Sequence, residues 1–186
     1  DHCEAYMGSD DGFEWFGGSV NASYLGDMEI NHISAPEFLL NNDAGYVSFT
    51  NIEADTLQVS STSGDITINS SFIPDISITS SSGYINLKQT EYVDCSLTAK
   101  SGEINIANAV SHGNLSLQTG SGDISISYQD KPDSLTFDVA SGSEDLSVNF
   151  TSADYQIETS ARKQGIIGKG EYQLTLNSDH GTIVIK

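Results

Sequence analysis

Residues 61–70 read STSGDITINS, and the centre of that stretch is written again as SSGYINL at 81–87, KSGEINI at 100–106 and GSGDISI at 120–126. A glycine turn that cradles a phosphate occurs once in a chain, whereas a unit that recurs describes architecture. With the glycine as origin, Gly26, Gly45, Gly64, Gly83, Gly102, Gly122 and Gly142 follow one another by 19, 19, 19, 19, 20 and 20 residues, and Gly181 lies 39 further on. The marker missing between the last two falls near Ser160-Ala161-Arg162.

Two and four residues after the markers stand apolar side chains: Met28 and Ile30, Val47 and Phe49, Ile66 and Ile68, Ile85 and Leu87, Ile104 and Ile106, Ile124 and Ile126, Ile183 and Ile185. The residues between them are polar. A period of two marks a strand with one buried face. A second alternating run follows 12 to 15 residues after each glycine, as in Phe38 and Leu40, Leu57 and Val59, Ile76 and Ile78, Cys95 and Leu97, Leu115 and Leu117, Leu135 and Phe137, Tyr155 and Ile157, then Leu174 and Leu176. Between the runs lies a looser segment holding Ile33, Ile52, Ile73, Val93 and Val110. The Gly142 unit is out of step, with Leu146 and Val148 in place of the usual pair, which predicts a bulge or longer turn at Ser143-Glu144-Asp145.

A unit of this size cannot bury its own apolar face, but stacking units in parallel places equivalent strands about 4.8 Å apart around one interior. The spacing therefore predicts an all-β, single-chain parallel β-helix (solenoid) over residues 25–186, right-handed, with about eight rungs of 19–20 residues. An antiparallel sandwich also uses many short strands, yet does not require one register rung after rung. Glycine suits the sharp corner before each first strand, and a neighbouring Ser or Thr can hydrogen-bond the turn backbone.

The recurring S-G-[DEY]-[IV]-x-[ILF] unit resembles that of an adhesin-like family of Ser-Gly-Asp-Ile β-strand-repeat proteins, strongly from Gly26 to Gly142 and loosely to Ile185. The resemblance implies an extracytoplasmic β-helical surface protein, extracellular or at the cell surface, with no catalytic residues to carry over. Residues 1–24, with Tyr6, Phe13, Trp15 and Phe16, lie outside it and read as an N-terminal capping or docking segment.

Composition narrows the partners. Twenty-six acidic against seven basic side chains give a formal charge of −19, which repels nucleic acid and anionic lipid surfaces. No apolar run approaches the roughly 18 residues that span a bilayer, so no membrane insertion is expected. Sequons stand at Asn21, Asn69, Asn114 and Asn149 as possible glycosylation sites.

The outward column one residue after each marker, Asp27, Tyr46, Asp65, Tyr84, Glu103 and Asp123, alternates acid and aromatic until Glu103 meets Asp123, a pair that could share Ca²⁺ but reads more simply as a solvated face. Other outward columns, Ser48 to Ser125 and Gln58 to Thr175 with Thr136 and Gln156, carry hydroxyls and amides that stabilise ladders or meet a glycan. Cys95 falls in an inward register and reads as a buried thiol rather than the partner of Cys3. Arg162 is the only arginine, and His2, His32, His112 and His180 fall at four different repeat positions, so no nucleophile and base pair can be read and neither an enzyme nor a cofactor is expected.

The ends suggest self-association. The chain finishes in G-T-I-V-I-K within a first strand, which reads either as a chain that continues into further protein or an anchor, or as an open rung. In the second case Ile183 and Ile185 form an edge that accepts the next subunit's Phe13, Trp15 and Phe16, a head-to-tail contact that propagates into a filament. The competing expectations are a capped adhesin-like module with a cell-surface or glycan partner and, more remotely, a polysaccharide lyase.

Overall fold

The computed structural model describes residues 20–24 and 26–186. Strand β1 (Val20–Tyr24) precedes five regular turns of two strands each: β2 (Met28–Asn31) and β3 (Glu37–Asn42), β4 (Val47–Thr50) and β5 (Thr56–Ser61), β6 (Ile66–Asn69) and β7 (Asp75–Ser82), β8 (Ile85–Lys88) and β9 (Asp94–Ser101), then β10 (Ile104–Ala109) and β11 (Asn114–Ser121). Next come β12 (Ile124–Tyr128), β13 (Leu135–Ser141) and the short β14 (Leu146–Ser147). An antiparallel pair, β15 (Asp154–Glu158) and β16 (Arg162–Ile167), is followed by β17 (Tyr172–Ser178) and β18 (Ile183–Ile185).

The strands form a ten-stranded and an eight-stranded sheet, and the described residues form an all-β parallel solenoid. Residues 19 apart pair in the first turns, as in Ile66 with Ile85 and Leu57 with Ile76, so the repeat is the register. Both apolar runs point inward: Val47, Phe49, Ile66, Ile68, Ile85 and Leu57 have at most 1% of their surface exposed. Each such side chain removed from water contributes about 1.5–3 kcal/mol.

A third side joins the sheets. Its ladder is one residue wide, running Ser34, Glu53, Phe72, Glu91 by isolated parallel bridges. Flanking this strip, large and small side chains alternate inside: Ile33 with Ala35, Ile52 with Ala54, Ser71 with Ile73, Thr90 with Tyr92. Volume is thereby kept similar over the first three of these layers and rises at Thr90 and Tyr92. The looser segment does not place all of its apolar residues inside. Val93 is 54% exposed and Tyr92 takes the interior, because Tyr92, not Val93, shares the register of Ile73.

The corner into this side carries a feature that the sequence hides. His32, Asn51, Ser70, Gln89 and Asn108 all have positive φ, between 51° and 57°, at the same place in successive layers. The left-handed region tolerates Asn and His better than most side chains, and here it is used without glycine.

The layer order departs from the chain order after β12. β13 does not stack on β11. Instead β17 lies between them, pairing Leu174 with Leu115 on one side and Phe137 on the other. In the smaller sheet β18 likewise lies between β12 and β14. The expectation of about eight rungs in sequence order is thus corrected to about five regular turns, from Gly26 to Gly122, with a returning layer inserted before the Gly142 layer. The turn expected at Ser143-Glu144-Asp145 is present, with Glu144 at φ 60° and its N–H donating to the Ser141 carbonyl at 3.2 Å.

Beyond β13 the parallel stacking of the large sheet ends. β16 pairs antiparallel with β13, and β15 with β16, so Tyr155 and Ile157 sit in an edge hairpin rather than in a parallel layer as their alternation suggests. The Phe137 ring packs at 5.0 Å from Phe150 and 5.3 Å from Tyr155. The Phe150 N–H donates to the Tyr155 hydroxyl at 2.9 Å, and Lys163 Nζ donates to the Val148 carbonyl at 2.7 Å. At the other end β1, which the sequence places in the N-terminal segment, already forms a layer of the large sheet through Val20–Phe38 and Ala22–Leu40 pairing.

Candidate functional site: the lateral corner and sheet face

The Ser-Gly corners converge on one edge of the solenoid. Gly83 has φ 116°, and a Cβ placed on it would meet the Gly64 carbonyl of the layer beneath, so only glycine lets the corners stack this closely. Buried hydroxyls and amides satisfy the carbonyls that the corner exposes. Asn42 Nδ2 donates to the Gly45 carbonyl at 2.9 Å, Ser80 Oγ to Ser82 at 3.1 Å and Thr119 Oγ1 to Gly122 at 2.9 Å. The seam of the inserted layer is built the same way: Ser178 Oγ donates to the Gly122 carbonyl at 2.9 Å and Ser141 Oγ to Gly181 at 2.7 Å.

Outside this corner runs the acid and aromatic column. The acids of the column have a structural role. Asp27 Oδ1 accepts the Tyr46 N–H and Asp65 Oδ1 accepts the Tyr84 N–H, each at 2.8 Å, so each carboxylate holds the backbone of the aromatic one layer above it. Tyr46 and Tyr84 are 38% and 48% exposed.

Asp123 Oδ1 accepts the Thr182 N–H at 2.7 Å, and Thr182 Oγ1 donates to Asp145 Oδ2 at 3.2 Å. The Asp123 carboxylate therefore engages the layer after it, while Glu103 lies in the layer before. Among the described residues no group of three or more His, Cys, Asp and Glu is placed to hold a metal ion.

On the outer face of the large sheet lies a shallow groove of about 430 Å³ across β7, β9, β11 and β17, lined by Asp75, Ser77, Asp94, Ser96, Asn114, Ser116, Gln173 and Thr175. Asn114 spans it: its Nδ2 donates to Asp94 Oδ1 at 2.7 Å and its Oδ1 accepts the Gln173 N–H at 2.9 Å. This side chain ties the inserted β17 to the regular turns. The insertion also rearranges the expected hydroxyl column, because Thr175 follows Ser116 and pairs with Asp138, whereas Thr136 pairs with Gln173 and Gln156 lies in the edge hairpin.

Cys95 is buried beneath the groove, and its thiol is pushed up by burial and then by the Asp75 charge. Burial likewise pushes the Tyr92 and Tyr128 hydroxyls up. Arg162 makes a two-pronged contact with Asp138, Nε to Oδ1 at 2.9 Å and Nη2 to Oδ2 at 2.6 Å, and that hydrogen bonding holds the guanidinium further above its usual range. His32 Nε2 lies 3.0 Å from Asn51 Nδ2. His112 Nδ1 lies 3.1 Å from the hydroxyl of its chain neighbour Ser111, and among the described residues no carboxylate hydrogen-bonds that imidazole.

The remaining sequence candidates sort by position. Ile183 does not offer an open edge, being fully buried and paired on both sides with Ile124 and Leu146, whereas Ile185 is half-buried and pairs with Ile126 on one side. The reason is the inserted layer. Phe13, Trp15, Phe16 and Cys3 lie outside the described residues. Asn21 lies in β1. Asn114 is engaged as above, and the sequon of Asn69 has its Ser71 buried, with Oγ donating to the Asn69 carbonyl at 3.0 Å. Asn149 is exposed on the irregular segment before β15.

With this geometry in hand, the family comparison is decisive: the model of the family described as Toastrack DUF4097 matches residues 19–186. The chain belongs to the Toastrack DUF4097 family. The Toastrack match starts beside Val20, where β1 begins, and covers the inserted layer as well as the regular turns. A model described as pectate-lyase like beta helix domain matches residues 1–33, of which the described part holds only β1, β2 and the corner after it. No curated protein matches the chain. No solved structure matches it.

Proposed function

We propose that this Toastrack chain is a non-catalytic, extracellular, adhesin-like module that makes its contacts through the lateral faces of the solenoid rather than end to end. The supporting observation is the end of parallel stacking beyond β13. In the large sheet the antiparallel β15 and β16 and the Phe137, Phe150 and Tyr155 cluster replace the parallel, in-register edge that a further rung would need. The edge that remains is a short antiparallel strand bulged between Tyr155 and Ile157, and a bulged edge disfavours the addition of further strands.

The lateral faces instead present repeated hydroxyls, amides, carboxylates and two tyrosines on a rigid ladder, the chemistry of a surface that meets a neutral glycan. Acid and base chemistry finds little support, since the sole arginine is paired with Asp138 and Lys163 is committed to a backbone carbonyl. The test joins light scattering over a wide concentration range to a glycan array. A constant monomeric mass with array binding is expected, and fibres that lengthen with concentration would refute the lateral reading.

A further inference from the structure

The geometry points to the Asp27, Tyr46, Asp65, Tyr84 corner as a binding site for an extended, neutral, β-1,4-linked polysaccharide lying along the solenoid axis. This rests on the lateral reading above and specifies its site and ligand class. Tyr46 and Tyr84 are separated by two layers, because Val47 pairs with Ile66 and Ile66 with Ile85. At the usual spacing of parallel strands their backbone positions stand roughly 10 Å apart. An extended β-1,4-linked chain turns each sugar over relative to its neighbour, so the same apolar ring face returns with every disaccharide. That repeat is close to the two-layer step.

The backbone of each tyrosine is held by the same device. The carboxylate one layer below holds the tyrosine's backbone N–H at 2.8 Å, so the two tyrosines have equivalent mounts. An aromatic side chain supplies an apolar face with a polar tip, and it loses little freedom on binding because only two torsions are ordered. The second oxygen of each carboxylate is an acceptor for sugar hydroxyls beside the stacked ring. The same carboxylates, on a chain of formal charge −19, disfavour uronates and other polyanions. A helical α-1,4-linked glucan does not return the same ring face at that step.

The experiment titrates the full chain with cellohexaose, the β-1,4-linked glucose hexamer, and with cellobiose, maltohexaose and polygalacturonate. The double variant Tyr46→Ala/Tyr84→Ala is compared with Tyr46→Phe/Tyr84→Phe, and unfolding midpoints confirm that both remain folded. Cellohexaose is expected to bind at least tenfold more tightly than cellobiose, which reaches one ring. The alanine pair should lose at least tenfold and the phenylalanine pair less than threefold. No cellohexaose binding, equal binding of maltohexaose, or an unchanged alanine pair would each overturn the assignment. These results leave a monomeric, laterally binding module standing, whereas concentration-dependent fibres would remove that broader reading whatever the sugar titration shows.

Discussion

Leu176→Ala, compared with Ile157→Ala, tests the inserted layer directly. If the layers followed the chain, Leu176 would lie in the outermost layer with a neighbour on one side only, and Ile157 would be interior. In the structure Leu176 is 1% exposed, with Leu117 paired on one side and Val139 on the other, while Ile157 is half-buried in the edge hairpin. Truncating a fully buried leucine removes its transfer free energy and leaves a cavity that the flanking strands cannot close, a loss of about 3 kcal/mol. The edge isoleucine should lose about 1 kcal/mol, because part of its surface already faces water. With a urea slope of about 2 kcal/mol per molar, the midpoints should fall by roughly 1.5 M and 0.5 M respectively. Circular dichroism measures both, and hydrogen exchange should show β11 and β13 losing protection together in the leucine variant. Equal losses, or a larger loss for Ile157, would refute the inserted layer.

Gly83→Ala should lower stability by about 2–4 kcal/mol, since the new Cβ meets the Gly64 carbonyl at a φ that alanine disfavours; an unchanged urea midpoint would contradict the stacked corners. Gln89 holds φ 51°, so Gln89→Gly should raise the midpoint slightly, by roughly 0.5 kcal/mol after the entropy of the freer unfolded chain, whereas Gln89→Val should lower it. Cys95, Tyr92 and Tyr128 all hold their protons more tightly when folded than when unfolded. Their contribution is therefore intact below about pH 8.5 and is lost progressively as pH rises past the unfolded thiol value and then the unfolded phenol value, which urea midpoints at pH 8, 9.5 and 10.5 would show. In the same buffers a thiol reagent should label Cys95 slowly in native protein and rapidly in urea.

Much of the fold is legible in the sequence because the signal is repeated. One Ser-Gly-Asp-Ile unit is weak, but seven glycines at steps of 19 or 20 leave few alternatives to parallel stacking. The inward identities of Ile66, Ile85, Leu57 and Leu97 follow from alternation alone. The third side was harder to read. Its ladder is a single residue wide, too short for a period, so Val93 and Tyr92 could not be told apart. The left-handed corner was missed because it uses His32, Asn51, Ser70, Gln89 and Asn108 rather than glycine, although its spacing of 19 was available as a signal. The acid and aromatic column was visible as a pattern, yet the role of its aspartates, accepting the next layer's N–H, required coordinates.

By itself the sequence determined the unit, the register and which side of each strand faces the core, since these depend on spacing within a repeat and on the period of the strand. Only the tertiary structure decided the order of the layers. Every layer offers its neighbours the same ladder of backbone groups and the same apolar columns, so a strand that fits on top of the stack also fits inside it. What seats β17 and β18 between older layers is a set of long-range contacts that no local pattern encodes: Ser178 to Gly122, Gln173 to Asn114 and Thr182 to Asp123. The short β14 then pairs with the β18 edge that the sequence had left open, while the hairpin beyond β13 ends the large sheet.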